Sequence, residues 1–136
     1  MLTVSKECHF DAAHILPDHQ GQCKNVHGHT YRLIVEVGGL EDKNDMIIDF
    51  KDLKRIMGEV ILSRFDHSFI YDQNSDMECD IAATLTKYSL RCVALPFKTT
   101  AENLARHIFQ LLQAHIQVKS VNLYETPESC ARYSAD

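Results

Sequence analysis

His27-Gly28-His29-Thr30-Tyr31-Arg32-Leu33-Ile34-Val35-Glu36-Val37 is the stretch that decides the fold. Tyr31, Leu33, Val35 and Val37 fall on the parity of His27 and His29. A period of two marks a strand with one buried face. Gly38-Gly39 ends it. Residues 2–14 alternate in the same way, with Leu2, Val4, Cys8, Phe10 and Ala12 on one face and Thr3, Ser5, Glu7 and Asp11 on the other. His14 has the parity of the apolar face. Between the two strands lies a turn-rich stretch, Leu16-Pro17-Asp18-His19-Gln20-Gly21.

Downstream, Asp49 is a predicted N-cap. Leu53, Ile56, Met57, Val60 and Ile61 then form one apolar helical stripe. Ser75-Asp76-Met77-Glu78 reads as a capping box before a shorter helix. Leu90–Phe97 reads as a strand. Thr99-Thr100-Ala101-Glu102 reads as a second capping box, which opens a helix with Leu104, Ile108, Leu111, Leu112 and Ile116 inward. A last strand covers Val118–Glu125, followed by a loop at Thr126-Pro127. This order predicts one α+β domain over residues 1–136, an antiparallel sheet with helices segregated to one face. So few strands leave open edges, and joining sheets between subunits would remove them. An oligomer is therefore expected.

With 136 residues the chain can bury roughly two-thirds of its unfolded surface, so folding needs no staples. The five cysteines are an odd count without a CxxC pair, and no export signal precedes them. That argues against a disulfide framework and for a cytoplasmic location. Cys8, Cys79 and Cys92 are expected to be buried small apolar side chains. No apolar run approaches a membrane span. A net charge of -5 argues against a nucleic-acid partner held through its phosphates.

The chemistry concentrates around His27-Gly28-His29. On a strand, residues i and i+2 share a face about 6.6 Å apart, so two imidazoles can grip one ion. His14 ends the other strand on its apolar face, where a lone histidine is costly without a partner. His9 and His19 are less well placed to be the third ligand, by parity and by position in the turn. Three histidines with an open fourth position suit a catalytic zinc (Zn2+) site, though imidazole also suits copper, nickel or iron. Cys23 lies four residues before His27. It reads either as a fourth ligand that closes the site, or as a thiolate stabilised by the nearby dication and acting as a base. Asp66-His67 reads either as a carboxylate orienting an imidazole for proton transfer or as a helix C-terminal cap. Glu125 is an acid on the apolar parity at a strand end. It either meets a buried ligand's donors or sits at the solvated end. Thr100 opens a helix whose N–H groups can help hold an anion. Glu102 is accounted for by capping. His107 and His115 read as solvated or satisfied side chains.

These pieces together resemble the 6-pyruvoyl-tetrahydropterin synthase / 6-carboxy-tetrahydropterin synthase family. The matching stretches are Phe10-Asp11-Ala12-Ala13-His14, Cys23 through His29, Ile48-Asp49-Phe50-Lys51-Asp52-Leu53-Lys54, Phe65-Asp66-His67, Thr100-Ala101-Glu102-Asn103-Leu104-Ala105 and Tyr124-Glu125-Thr126-Pro127. The resemblance implies zinc on His14, His27 and His29. It implies that Cys23 is the general base, and that Asp66 and His67 are a proton relay supplied by a neighbouring subunit. It also implies that Glu125 anchors the pterin ring and belongs to the acid/base machinery. The fold so implied is the tunnelling fold, in which trimers close a twelve-stranded antiparallel barrel and stack as a homo-hexamer. The implied activity is that of a lyase acting on 7,8-dihydroneopterin triphosphate. The short Cys-x3-His-Gly-His spacing looks like the bacterial 6-carboxy branch of the queuosine pathway. The animal pyruvoyl enzymes have a longer gap, and elimination of triphosphate without side-chain cleavage is the second expectation. A non-catalytic zinc-binding oligomer is the third. The region from Tyr71 to Arg91 is longer than in the shortest bacterial members.

Overall fold

The computed structural model describes all residues, 1–136. Six strands form one sheet in the order β4-β3-β1-β2-β5-β6. β1 (Val4–His14) and β2 (His27–Val37) are its long central antiparallel pair. Their register sets His14 opposite His27 and Ala12 opposite His29. β5 (Val118–Thr126) pairs antiparallel with β2, and β6 (Ser129–Ser134) with β5. β3 (Ser68–Asp72) runs parallel to β1 and to β4 (Cys92–Leu95).

The α+β class and the helix layer on one face stand, but the wholly antiparallel sheet does not. Only β1, β2, β5 and β6 are antiparallel neighbours. β3 and β4 are joined by the crossover helix α3 (Asp76–Lys87), and parallel neighbours require such a crossover. β3 was not expected because all its residues except Tyr71 are buried, so it shows no alternation. β6 was not expected; it follows the turn at Pro127-Glu128, where the loop at Thr126-Pro127 was expected. Its polar sequence, Ser-Cys-Ala-Arg-Tyr-Ser, is that of an exposed edge strand. The expected strand Leu90–Phe97 contracts to Cys92–Leu95.

The core lies between the sheet and the helices. Tyr31, Leu33 and Val35 are fully buried, as their parity requires. Against them pack Leu53 and Met57 of α1 (Phe50–Met57), and Leu104, Ile108 and Leu112 of α4 (Ala101–Gln113). Between α1 and the short α2 (Ser63–Phe65) the chain forms a π-turn, Gly58–Leu62. This has a packing consequence. Leu53, Met57, Ile61 and Phe65 are all buried at intervals of four. A strict α-helix drifts about 40° over each such interval, and the wider π-turn takes up the drift. A second small cluster, Ile15, Phe69 and Ala82, seats α3.

The caps at Asp49 and Ser75 form as expected. The third is displaced by one residue. Thr100, not Thr99, caps α4 by accepting from the Asn103 N–H. Thr99 is wholly buried, and its carbonyl accepts from His14 Nδ1. Glu102 is consequently not a capping-box acid but an exposed carboxylate. All five cysteines are free. Cys8, Cys79 and Cys92 are half-buried rather than buried. No helix is long and apolar enough to cross a membrane.

Candidate metal centre and active site

The β1–β2 register does what the parity argument required. It gathers His14, His27 and His29, with ring centroids 4.6–5.2 Å apart. One ligand atom from each lies within 4.8 Å of the others. Two of the tautomers are set from behind. His14 Nδ1 bonds the Thr99 carbonyl at 2.8 Å, and His27 Nδ1 bonds the Asn25 carbonyl at 2.8 Å. With the proton committed to Nδ1, the Nε2 lone pair is free. Nε2 of all three rings is buried without a hydrogen-bond partner. Buried polar atoms are rarely left so, and three that converge could together hold a metal ion.

Electrostatics point the same way. His14 is 1 % exposed. Burial pushes its pKa down to about 4, and His27 and His29 push in the same direction, against the Thr99 carbonyl. His29 is also lowered, by burial first, with Glu125 opposing. A neutral imidazole is a competent metal ligand, and burial holds His14 in that form at neutral pH. The donor set, three nitrogens and no fourth protein atom, fits a zinc ion with an open position.

The other candidate ligands stand outside this group. His9 is exposed, 4.0 Å from Glu7. His19 Nδ1 accepts from the Gly21 N–H. Cys23, in a 3-10 turn (Gln22–Lys24), is not among the atoms gathered within 4.8 Å. It lines a cleft of about 450 Å³ with Thr100, Glu102, Glu125 and Cys130. That volume is in the range of small-molecule sites. The loop that carries Cys23 is pinned by the Leu16 N–H on the Cys23 carbonyl, and by Lys98 on Asp18 at 2.9 Å. Glu125 stands between this cleft and the histidines, its Oε2 3.8 Å from His29 Nε2.

Asp66 and His67 do face each other. The helix ends at Phe65, Asp66 is extended, and His67 takes φ +57. This break in the chain lets consecutive side chains meet, with Asp66 Oδ1 3.0 Å from His67 Nδ1. The His67 N–H donates to the Asp11 carbonyl on β1 rather than back into the helix. His67 shares its cleft with Asp11, Thr30, His29, Leu90 and Arg91. Its side chain is 78 % exposed.

Several residues at the site were not expected. Thr99 was hidden inside an apparent capping box. Tyr31, read as core, carries a buried hydroxyl with no partner, and its ring meets His29 edge-on at 5.4 Å. Asp11, read as an outward polar residue, accepts from the Thr30 hydroxyl and holds the Asp66–His67 turn. Its partners follow from register, which the sequence does not display. His107 is neither solvated nor satisfied. It is half-buried edge-on to Phe65 and Phe97, and its Nε2 has no partner.

The description of one protein family, 6-pyruvoyl tetrahydropterin synthase, matches residues 3–136. This chain belongs to that family. A relative from Haemophilus influenzae, a 6-carboxy-5,6,7,8-tetrahydropterin synthase, is 46% identical over 98% of this chain and 99% of its own. A relative of the same name from Bacillus subtilis is 30% identical over 96% of this chain and 83% of its own. Among solved structures, an uncharacterized protein from Wolinella succinogenes superposes with a TM-score of 0.77 at 22% identity. It covers 99% of this chain and 98% of its own. The 6-pyruvoyl tetrahydropterin synthase of Caenorhabditis elegans superposes with a TM-score of 0.71 at 24% identity, over 99% and 96%. These superpositions establish the family's fold for this chain.

Proposed function

We propose that this protein is a zinc-dependent lyase. It converts 7,8-dihydroneopterin triphosphate and one water to 6-carboxy-5,6,7,8-tetrahydropterin, acetaldehyde and triphosphate. The observation that carries the chemistry is the set of three converging, buried and unpartnered Nε2 atoms beside a cleft that holds a thiol and a carboxylate. The 6-carboxy product is favoured by the near full-length relative from Haemophilus influenzae.

His14, His27 and His29 would hold the ion. Zinc in that position supplies Lewis acidity toward the oxygens of the substrate side chain. Cys23 removes a proton from a side-chain carbon, as a thiolate base. Its place outside the ligand group supports this role over that of a fourth ligand. Glu125 accepts hydrogen bonds from the pterin amide and amino groups. It is suited to this because it lines the same cleft as Cys23 while sitting beside His29. Thr100 opens α4 at the same cleft, where the helix N-terminus favours an anionic group. His67, oriented by Asp66, moves protons to and from the substrate.

Assembly follows from the edges. β1 meets β3 only at Ala12 and Ala13, which leaves Val4–Asp11 unpaired on that side, and β6 pairs only with β5. Two open edges on a four-stranded antiparallel core favour closure between copies into a barrel, and a hexamer as a dimer of trimers. The exposed imidazole of His67 suits a relay group that serves a site completed by a second copy.

The test is turnover. Zinc-loaded protein incubated with 7,8-dihydroneopterin triphosphate should release one acetaldehyde per pterin consumed. A pterin of pyruvoyl mass without acetaldehyde would move the enzyme to the other branch. Folded, zinc-loaded protein that consumes none of the substrate would sink the reading.

A further inference from the structure

His67 occupies the left-handed region at φ +57. For a residue other than glycine this conformation is strained. Such a residue persists only where its surroundings hold it, and it is common at functional positions. Two bonds hold the turn from β1, both through Asp11. Its N–H donates to Asp66 Oδ1 at 3.0 Å, and its carbonyl accepts from the His67 N–H at 2.7 Å. The turn is closed from within by the Ser68 hydroxyl, which donates to the Phe65 carbonyl at 2.6 Å, and on the side away from β1 it is held by Arg91.

Arg91 brackets the turn at both ends. Its side chain, through Nη1, donates to the Asp66 carbonyl at 2.8 Å. Its own carbonyl accepts from the Phe69 N–H at 3.0 Å. The Asp66 carbonyl lies just past the end of α2, where carbonyls lack helical partners and a cation is favoured. A charged donor there makes a short, strong bond. Arg91 is itself aimed by the end of α3. Ser89 takes φ +61. The Ser89 N–H reaches the Thr86 carbonyl at 2.9 Å, and the Leu90 N–H the Leu85 carbonyl at 3.1 Å. This is a Schellman motif, with Leu85 and Leu90 as its apolar pair. It fixes the direction in which the chain leaves the helix.

We propose that Arg91 is a positioning residue for the reaction. It acts through His67 by clamping the Asp66–His67 turn, and α3 with its capped end is the device that delivers it. This gives the long region between Tyr71 and Arg91 a role in catalysis. It rests on the reading that His67 relays protons in turnover.

A cycle of variants in the zinc-loaded oligomer tests it: Arg91→Ala, His67→Ala and the pair, with kcat, KM, zinc content and Tm measured for each. Displacement of a reacting group by about 1 Å costs up to about 100-fold. Arg91→Ala should therefore lower kcat by about 10- to 100-fold, with KM within about two-fold and zinc retained. In the His67→Ala background the same substitution should change kcat by less than about two-fold, because its route to the reaction is already gone. Arg91→Lys, which keeps a cationic donor, should recover part of the loss. Wild-type kcat in Arg91→Ala, or an equal loss in both backgrounds, overturns the proposal. If Arg91→Ala does not fold, Arg91→Gln, which removes the charge but keeps side-chain bulk, takes its place in the same two backgrounds and is judged by the same rule. Wild-type turnover in His67→Ala would instead sink the relay role itself, whatever Arg91 does.

Discussion

Cys23→Ala is expected to lower kcat by about 10²- to 10⁴-fold, the range for loss of a positioned general base, while the zinc stays bound. Both halves follow from where the residue sits. Cys23 lines the cleft with Glu125 and Thr100, so its loss removes the proton acceptor from the substrate's side. It stands outside the group of three imidazole nitrogens, so its loss removes no ligand. The fold should not suffer. Cys23 lies in a 3-10 turn with no buried residue, and the turn is pinned through its backbone carbonyl. Metal analysis and steady-state rates on the same preparation check the prediction. Loss of the metal together with activity would make Cys23 a ligand and the site a closed one. A rate within about ten-fold of wild type would leave the reaction without its base.

His29→Ala is expected to abolish zinc retention through dialysis and to lower turnover by more than about 100-fold. Groups that merely orient a metal ligand cost 10- to 100-fold when removed, and a ligand itself should cost more. His29 is the informative choice among the three. His14 is nearly wholly buried and tied to Thr99, so its removal also opens a hole in the structure. The His29 side chain is 16 % exposed, on the rigid strand β2, and its one charged neighbour is Glu125. Metal-free wild type and metal-free His29→Ala should therefore unfold at similar temperatures, while only wild type is stabilised by added zinc. Equal stabilisation of both by zinc would show that His29 is not a ligand.

The two central strands and the three histidines were legible in the sequence for the same reason. Period two in residues 2–14 and 27–37 places His14, His27 and His29 on one apolar face, and the pairing then brings them together. The helices were legible by stripe and cap. Register-dependent partners were not. Thr99 looks like a capping residue until its carbonyl is found against His14 Nδ1. Asp11 looks like a solvated strand residue until Thr30 and the Asp66–His67 turn are found against it. Parallel β3 was hidden because a strand buried on both faces shows no alternation. β6 was hidden because an edge strand can be almost wholly polar. The ambiguity at Cys23, ligand or base, is of a third kind. Spacing alone cannot place a sulfur relative to three nitrogens, because the loop between Ile15 and Val26 sets its direction.

Zinc K-edge X-ray absorption on the wild-type protein tests most directly whether the metal centre is open. Three imidazole nitrogens at about 2.0–2.1 Å, with an oxygen from water and no sulfur, is the result expected for His14, His27 and His29. A sulfur scatterer at about 2.3 Å would place Cys23 on the metal, close the site, and contradict the catalytic account.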